Sequence, residues 1–186
     1  AASATLLQQL VTADPKSERS RVGAVSYNDS TQAASGMAWG VSTASTYISA
    51  LPTVPTGGTD ASGGMKAAFD ALKSSVATEK TAHAAKGNTG FERYIVLMTD
   101  GEMTGNSSNW NSTIDNLVRT RCTEAKNDGI KIFTVAFMAP TRGKSLLSAC
   151  ASSLSNYYEP QTMSDLVKAF EDIGKAAAKA STLLTN

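Results

Sequence analysis

The chain has 186 residues, 41% of them hydrophobic and 18% charged, with a formal net charge of +1. That length suits one compact domain with its own core, and no apolar run approaches the roughly 20 residues of a membrane span. So balanced a charge excludes bulk electrostatic attraction to nucleic acid or an anionic bilayer, and leaves Ser, Thr, Asn and Gln to supply much of the polar surface, a composition that fits an exported protein.

In "AASATLLQQLVTADP", Leu6, Leu7, Leu10 and Val11 recur at helical spacing. The chain therefore begins inside a helix, not a signal peptide, which would carry a basic leading region. "PKSERS" breaks it, and "RVGAVSYND" (21–29) is strand material closed by the turn residues Asn28 and Asp29. "TQAASGMAW" (31–39) reads as an edge strand, "STASTYISAL" (42–51) as a short helix, and "PTVPTGGTD" (52–60) as a loop whose prolines and paired glycines suit neither ladder nor helix.

The pattern then predicts one long helix over 61–82, with Met65, Ala68, Phe69 and Leu72 on one face and "GNTG" as its stop. "RYIVLMT" (93–99) is a continuous apolar strand, "NSTIDNLVRTRCTEAKNDG" (111–129) an amphipathic helix stopped by Gly129, and "IKIFTVAFM" (130–138) a second apolar strand. "GKSLLSACAS" (143–152) is a helix and "NYYEP" (156–160) a short strand. In the terminal helix "TMSDLVKAFEDIGKAAAKAS" (162–181), Met163, Leu166, Val167, Phe170 and Ile173 make the buried stripe, and Thr162 with Asp165 matches a capping box. Strands without polar alternation, separated by helices, predict a doubly wound α/β fold: a mostly parallel central sheet with helices on both faces.

In such sheets ligands gather at the carboxyl ends of strands, near the topological switch point. "IVLMTDGE" puts Asp100 and Gly101 where a strand leaves the sheet, and "PTGGTD" puts Thr59 just ahead of the next helix. A hydroxyl and a carboxylate are hard oxygen ligands that suit Mg²⁺, with Mn²⁺ or Ca²⁺ as alternatives, and the glycines allow close backbone approach. Alone, Asp100 reads as a turn residue or helix cap.

Together, the apolar strand with TDGE and the preceding "GGTD" resemble the von Willebrand factor A domain and its metal-ion-dependent adhesion site. The resemblance implies that Thr59 and Asp100 are metal-site residues, and that the cation takes an acidic side chain from a protein partner. "CTEAKNDGIKIFTVAFM", "LLSACASSLSNYYEP" and "LVKAFEDIGKAAAK" look like the second half of the A domains in TadG-like pilus-assembly proteins of bacterial tight-adherence systems. The likeness covers most of the chain from Arg21 onward. It implies a single domain over 1–186, non-catalytic, serving adhesion or pilus assembly in the periplasm or outside the cell, anchored through a segment not in this chain. The alternative is a scaffold of the same fold with a non-functional metal site.

One departure stands out. The family's third metal loop, Asp-x-Ser-x-Ser, follows the first and central strand, and neither is present in these residues. A sheet without its central strand leaves two edges unpaired, so the expectation is that the strand lies ahead of Ala1.

Cys122 and Cys150 fall in the helices before and after the "IKIFTVAFM" strand, where successive right-handed crossovers put helices side by side. A disulfide and two buried thiols are both compatible with that placement; the exported character of the family favours the bridge. No paired Cys or His ligands suggest zinc. His83, in "EKTAHAAKGN", reads as a solvated helix-end residue. With no GxSxG elbow, GxGxxG or phosphate loop, a hydrolase or phosphotransferase using Asp100 as nucleophile lacks its machinery. Met103 and Trp110, in "GEMTGNSSNWN", rim the same loop. Trp110 is expected to pack down onto the following helix, the alternative being an exposed anchor for a partner.

Overall fold

The computed structural model describes residues 2–88 and 90–183. The chain runs α1 (Ala2–Ala13), β1 (Arg21–Val22), β2 (Ala38–Trp39), α2 (Ser42–Ser49), α3 (Ser62–Leu72), α4 (Ala77–Ala85) and β3 (Tyr94–Thr99). It continues through α5 (Ser112–Asn127), β4 (Lys131–Ala136), α6 (Thr141–Cys150), a single 3-10 turn (Leu154–Asn156), β5 (Tyr157–Tyr158) and α7 (Met163–Leu183).

The apolar runs become the central strands, as their lack of alternation requires. β3 and β4 pair in parallel from Tyr94 opposite Lys131 to Thr99 opposite Ala136, and β5 joins the far side of β4, also in parallel. Successive side chains point to opposite faces. Ile95, Leu97 and Ile132 therefore meet Met65 of α3, Val118 of α5 and Leu146 of α6. Phe133 and Val135 meet Leu166, Phe170 and Ile173 of α7, with Val96, Met98 and Leu6 of α1 alongside. Helices thus cover both faces of a parallel sheet, the α/β doubly wound arrangement. β1 and β2 form a separate antiparallel pair, Arg21 opposite Trp39 and Val22 opposite Ala38.

Helix ends follow local chemistry. The Asn111 side chain accepts the N–H groups of Thr113 (3.0 Å) and Ile114 (3.2 Å) to start α5. Thr162 and Asp165 cap α7 reciprocally, Thr162 N–H to the Asp165 carboxylate (3.1 Å) and Asp165 N–H to the Thr162 hydroxyl (3.1 Å).

The structure corrects four expectations. The helix predicted over 61–82 is two helices, because Lys73 turns to extended backbone (ψ 147°) where distant groups take over the chain. The Asp128 carboxylate accepts the Ser74 N–H (2.7 Å) and hydroxyl (2.5 Å), and Arg93, itself paired with Asp128, donates to the Leu72 carbonyl (2.9 Å). Gly87, at φ +75°, follows the second helix, and Thr89 of the predicted stop lies outside the described residues. The two predicted runs 21–29 and 31–39 shrink to two ladder residues each. Met163 is 56% exposed at the start of α7, ahead of the buried stripe.

His83 is the fourth. It is only 5% exposed, stacked on Phe91 (centroids 4.1 Å apart) and set edge-on to Trp39 (5.1 Å). Burial lowers its pKa below the usual imidazole value, with the Arg21 charge acting in the same direction and Glu79 opposing. Glu79, also buried, pairs with Arg21 at 2.8 Å beside the same aromatic group.

Candidate functional site

The two loops singled out by sequence meet. The Thr59 carbonyl accepts the N–H groups of Thr104 (2.9 Å) and Gly105 (3.0 Å), and the Thr59 N–H donates to the Thr104 hydroxyl (3.0 Å). With both backbone groups bound, the loop before α3 is laced to the loop after β3. Gly58 permits this closeness, since a Cβ there would lie 2.0 Å from the Gly105 carbonyl oxygen. A side chain at Gly101 would meet the Thr59 hydroxyl oxygen at 2.9 Å. That hydroxyl therefore stands directly over the backbone next to Asp100.

Asp100 is exposed and Thr59 half-buried. Among the described residues, neither the Thr59 hydroxyl nor the Asp100 carboxylate takes part in a hydrogen bond or ion pair. Asp60, by contrast, is engaged locally, accepting the Ser62 N–H (2.8 Å) and hydroxyl (2.6 Å) at the start of α3. Among the described residues no three His, Cys, Asp or Glu side chains converge as a ligand group. Two unengaged hard oxygens at one rim fit part of the shell of a hard divalent cation, the remaining positions falling to water or to groups from elsewhere.

Tyr27 belongs to this neighbourhood and was missed by sequence reasoning. Its hydroxyl donates to the Met98 carbonyl at 2.6 Å, just below Asp100. Burial raises its pKa well above the usual phenol value and the Asp100 charge adds to the rise, while the Thr99 hydroxyl opposes it. The available signal was its position at the end of "RVGAVSY", level with the other strand ends.

The rim differs from expectation too. Met103 is fully buried beneath the site, its sulfur accepting the Ala61 N–H (3.4 Å). Trp110 lies under the Arg142 guanidinium of α6, 4.2 Å from the ring centre, and its indole N–H is buried without a partner among the described residues. Met138, two residues past the end of β4, is 63% exposed with φ +52°. Below the rim, Cys122 of α5 and Cys150 of α6 form a disulfide, with Cα atoms 5.1 Å apart.

The sequence profile of the von Willebrand factor type A domain matches residues 2–172. The chain belongs to this family. Solved structures agree on the fold of this A domain. The vWF domain of the type V pili tip protein Mfa5 from Porphyromonas gingivalis superposes with a TM-score of 0.68 at 15% identity, covering 94% of this chain and 86% of that one. The pilus adhesin SpaC from Lactobacillus rhamnosus GG gives 0.69 at 12% identity over 96% of this chain, which spans only 28% of SpaC. Proximal thread matrix protein 1 from the mussel byssus gives 0.61 at 16% identity, covering 94% of this chain and 42% of that one. Among curated proteins no sequence matches this A domain.

Proposed function

We propose that this A domain is a non-catalytic protein-binding module for adhesion or pilus assembly, and that it docks a partner through a divalent cation at the Thr59 and Asp100 rim. The observation that carries the reading is the pair of hard oxygens, held by interlocked loops and engaged by no other described residue. A cation there, Mg²⁺ first and Mn²⁺ or Ca²⁺ as alternatives, would offer an open position to an acidic side chain of a partner protein. Thr59 presents its hydroxyl at a fixed height because its N–H and C=O are both tied to residues 104–105. Asp100 supplies the negative charge at the solvent edge.

A pili tip domain and a pilus adhesin share the fold, and the segments from Cys122 onward resemble TadG-like pilus-assembly proteins. Both support a place in the periplasm or outside the cell, as does the disulfide, which an oxidising compartment preserves. No helix among the described residues is long and apolar enough to cross a membrane, so any anchor lies in a segment other than these.

Calorimetric titration of Mg²⁺ and Mn²⁺ into EDTA-stripped protein tests the reading. Saturable binding that vanishes in Asp100→Ala, whose fold survives, is the expected result. The second reading, a scaffold with a lapsed site, draws on the want, among the described residues, of any cluster of three His, Cys, Asp or Glu side chains. Cation-independent partner binding that survives Asp100→Ala would establish it and end the docking proposal.

A further inference from the structure

α6 begins against the Thr59 and Asp100 rim. A Cβ at Gly143 would lie 2.4 Å from the Gly101 carbonyl oxygen, so the first turn of that helix touches the residue after Asp100. Arg142, one residue before Gly143, is exposed, and its guanidinium lies 4.2 Å from the centre of the Trp110 ring. Trp110 ends the loop that ties Thr104 and Gly105 to the Thr59 backbone, and Asn111, next in the chain, donates its N–H to the Met103 carbonyl (2.7 Å). The Arg142 and Trp110 pair is thus built on the same loop as the rim.

Stability does not account for this pair. A cation in the first turn of a helix opposes the macrodipole, and an exposed guanidinium gains only modestly from an aromatic face. Trp110 meanwhile leaves its indole N–H buried without a partner among the described residues, a cost that a half-buried ring could avoid by turning outward. Carboxylates stand close by. Asp100 and Glu102 flank Gly101, yet Arg142 pairs with neither, and among the described residues it takes part in no ion pair. Two residues on, Lys144 does reach an acid, Glu159 at 2.7 Å. The Trp110 ring therefore keeps a full positive charge beside the rim without letting it neutralise Asp100.

We propose that Arg142 is a second anchor for the docked partner, taking a carboxylate in addition to the one that meets the cation, and that Trp110 is the positioning residue that holds it ready. This rests on the docking reading and narrows the partner to a segment with two acidic side chains close together. A guanidinium suits the role, since it is always charged and binds a carboxylate through two parallel N–H groups while its flat face stays on an aromatic ring. Residues two apart in an extended segment project to the same side, about 7 Å from each other. Asp100 and Arg142 each stand one residue from the contact between Gly101 and Gly143, so a segment of that spacing can meet both.

The test uses two capped peptides, one with an Asp-Gly-Asp core and one with Asp-Gly-Asn, titrated into the protein in excess Mg²⁺ and followed by the backbone amide resonances of residues 100–105. The Asp-Gly-Asp peptide should bind about tenfold more tightly. That difference should vanish in Arg142→Gln, shrink in Trp110→Leu and survive in Trp110→Phe, which keeps an aromatic face under the guanidinium. Each comparison is between two peptides on one protein, so a variant's own loss of stability cancels. Equal affinities in the unsubstituted protein, or a difference that persists in Arg142→Gln, overturn the proposal; equal losses in Trp110→Phe and Trp110→Leu overturn the positioning role of the ring. Titration of Mg²⁺ without peptide separates the two readings. Saturable Mg²⁺ binding with no difference between the peptides sinks this inference alone, whereas absent Mg²⁺ binding sinks the docking reading and this inference with it.

Discussion

The Cys122–Cys150 bridge joins α5 to the last residue of α6 and encloses β4, so cutting it frees the unit that carries one of the two long strands. With the cysteines 28 positions apart in sequence, the chain-entropy relation gives about 3.6 kcal/mol at 25 °C, from 2.1 plus 1.5R ln 28 in cal/mol/K. For a domain of this size each kcal/mol moves Tm by roughly 2–4 °C, so the double variant Cys122→Ala/Cys150→Ala should melt about 7–14 °C lower. Both sulfurs are buried, at 1% and 0% exposure, which makes alanine a better replacement than a hydroxyl-bearing serine. Urea unfolding followed by circular dichroism should show a lower midpoint and a steeper m-value, because the unlinked denatured chain exposes more surface. Each single variant should lose about as much as the double. A loss under about 1 kcal/mol, or two titratable thiols in the untreated native protein, would refute the reasoning.

Gly58→Ala places a methyl 2.0 Å from the Gly105 carbonyl. It should cost about 1–3 kcal/mol by overpacking and displace Thr59, read by Tm and by the Thr59 amide resonance; an unchanged spectrum counts against the interlocked loops. Tyr27→Phe removes the 2.6 Å bond to Met98 and should cost about 1 kcal/mol in urea unfolding. Asp100→Ala, by contrast, should change stability by less than about 0.5 kcal/mol, since the side chain is exposed and unpaired among the described residues. His83 has a folded-state pKa below its ordinary 6.5. The unfolded chain therefore binds more protons, and the contribution is complete above pH 6.5 and lost as pH falls from there through the folded value. Urea midpoints between pH 5 and 7.5 should fall on acidification, and His83→Phe should flatten that component; equal slopes in the two proteins would contradict it.

Where the chain's own period and termini decided the outcome, sequence reading succeeded. The unbroken apolar runs ending at Thr99 and Met138 had to be strands covered on both faces, and Asn111 and the Thr162/Asp165 pair start α5 and α7 with their own side chains. The approach of Thr59 to Gly101 was likewise legible, because a parallel sheet brings its carboxyl-end loops to one rim and glycines let them touch. The misses share a cause in contacts between distant residues. α3 ends at Leu72 because Asp128, 54 residues beyond Ser74, captures the Ser74 N–H and hydroxyl that a continuing helix would have used differently. His83 looked solvated in its own helix and is buried because Trp39 and Phe91 close over it. Met103 sits in a polar loop, yet it fills the space under Ala61.

What the sequence by itself determined is the order and type of the main elements and which loops carry the Thr59 hydroxyl and the Asp100 carboxylate, since those follow from side-chain period, local capping and the sequence itself. Only the tertiary structure decided which cysteines and charges pair and which polar groups are buried. These depend on where remote segments come to rest, and no local pattern encodes that distance.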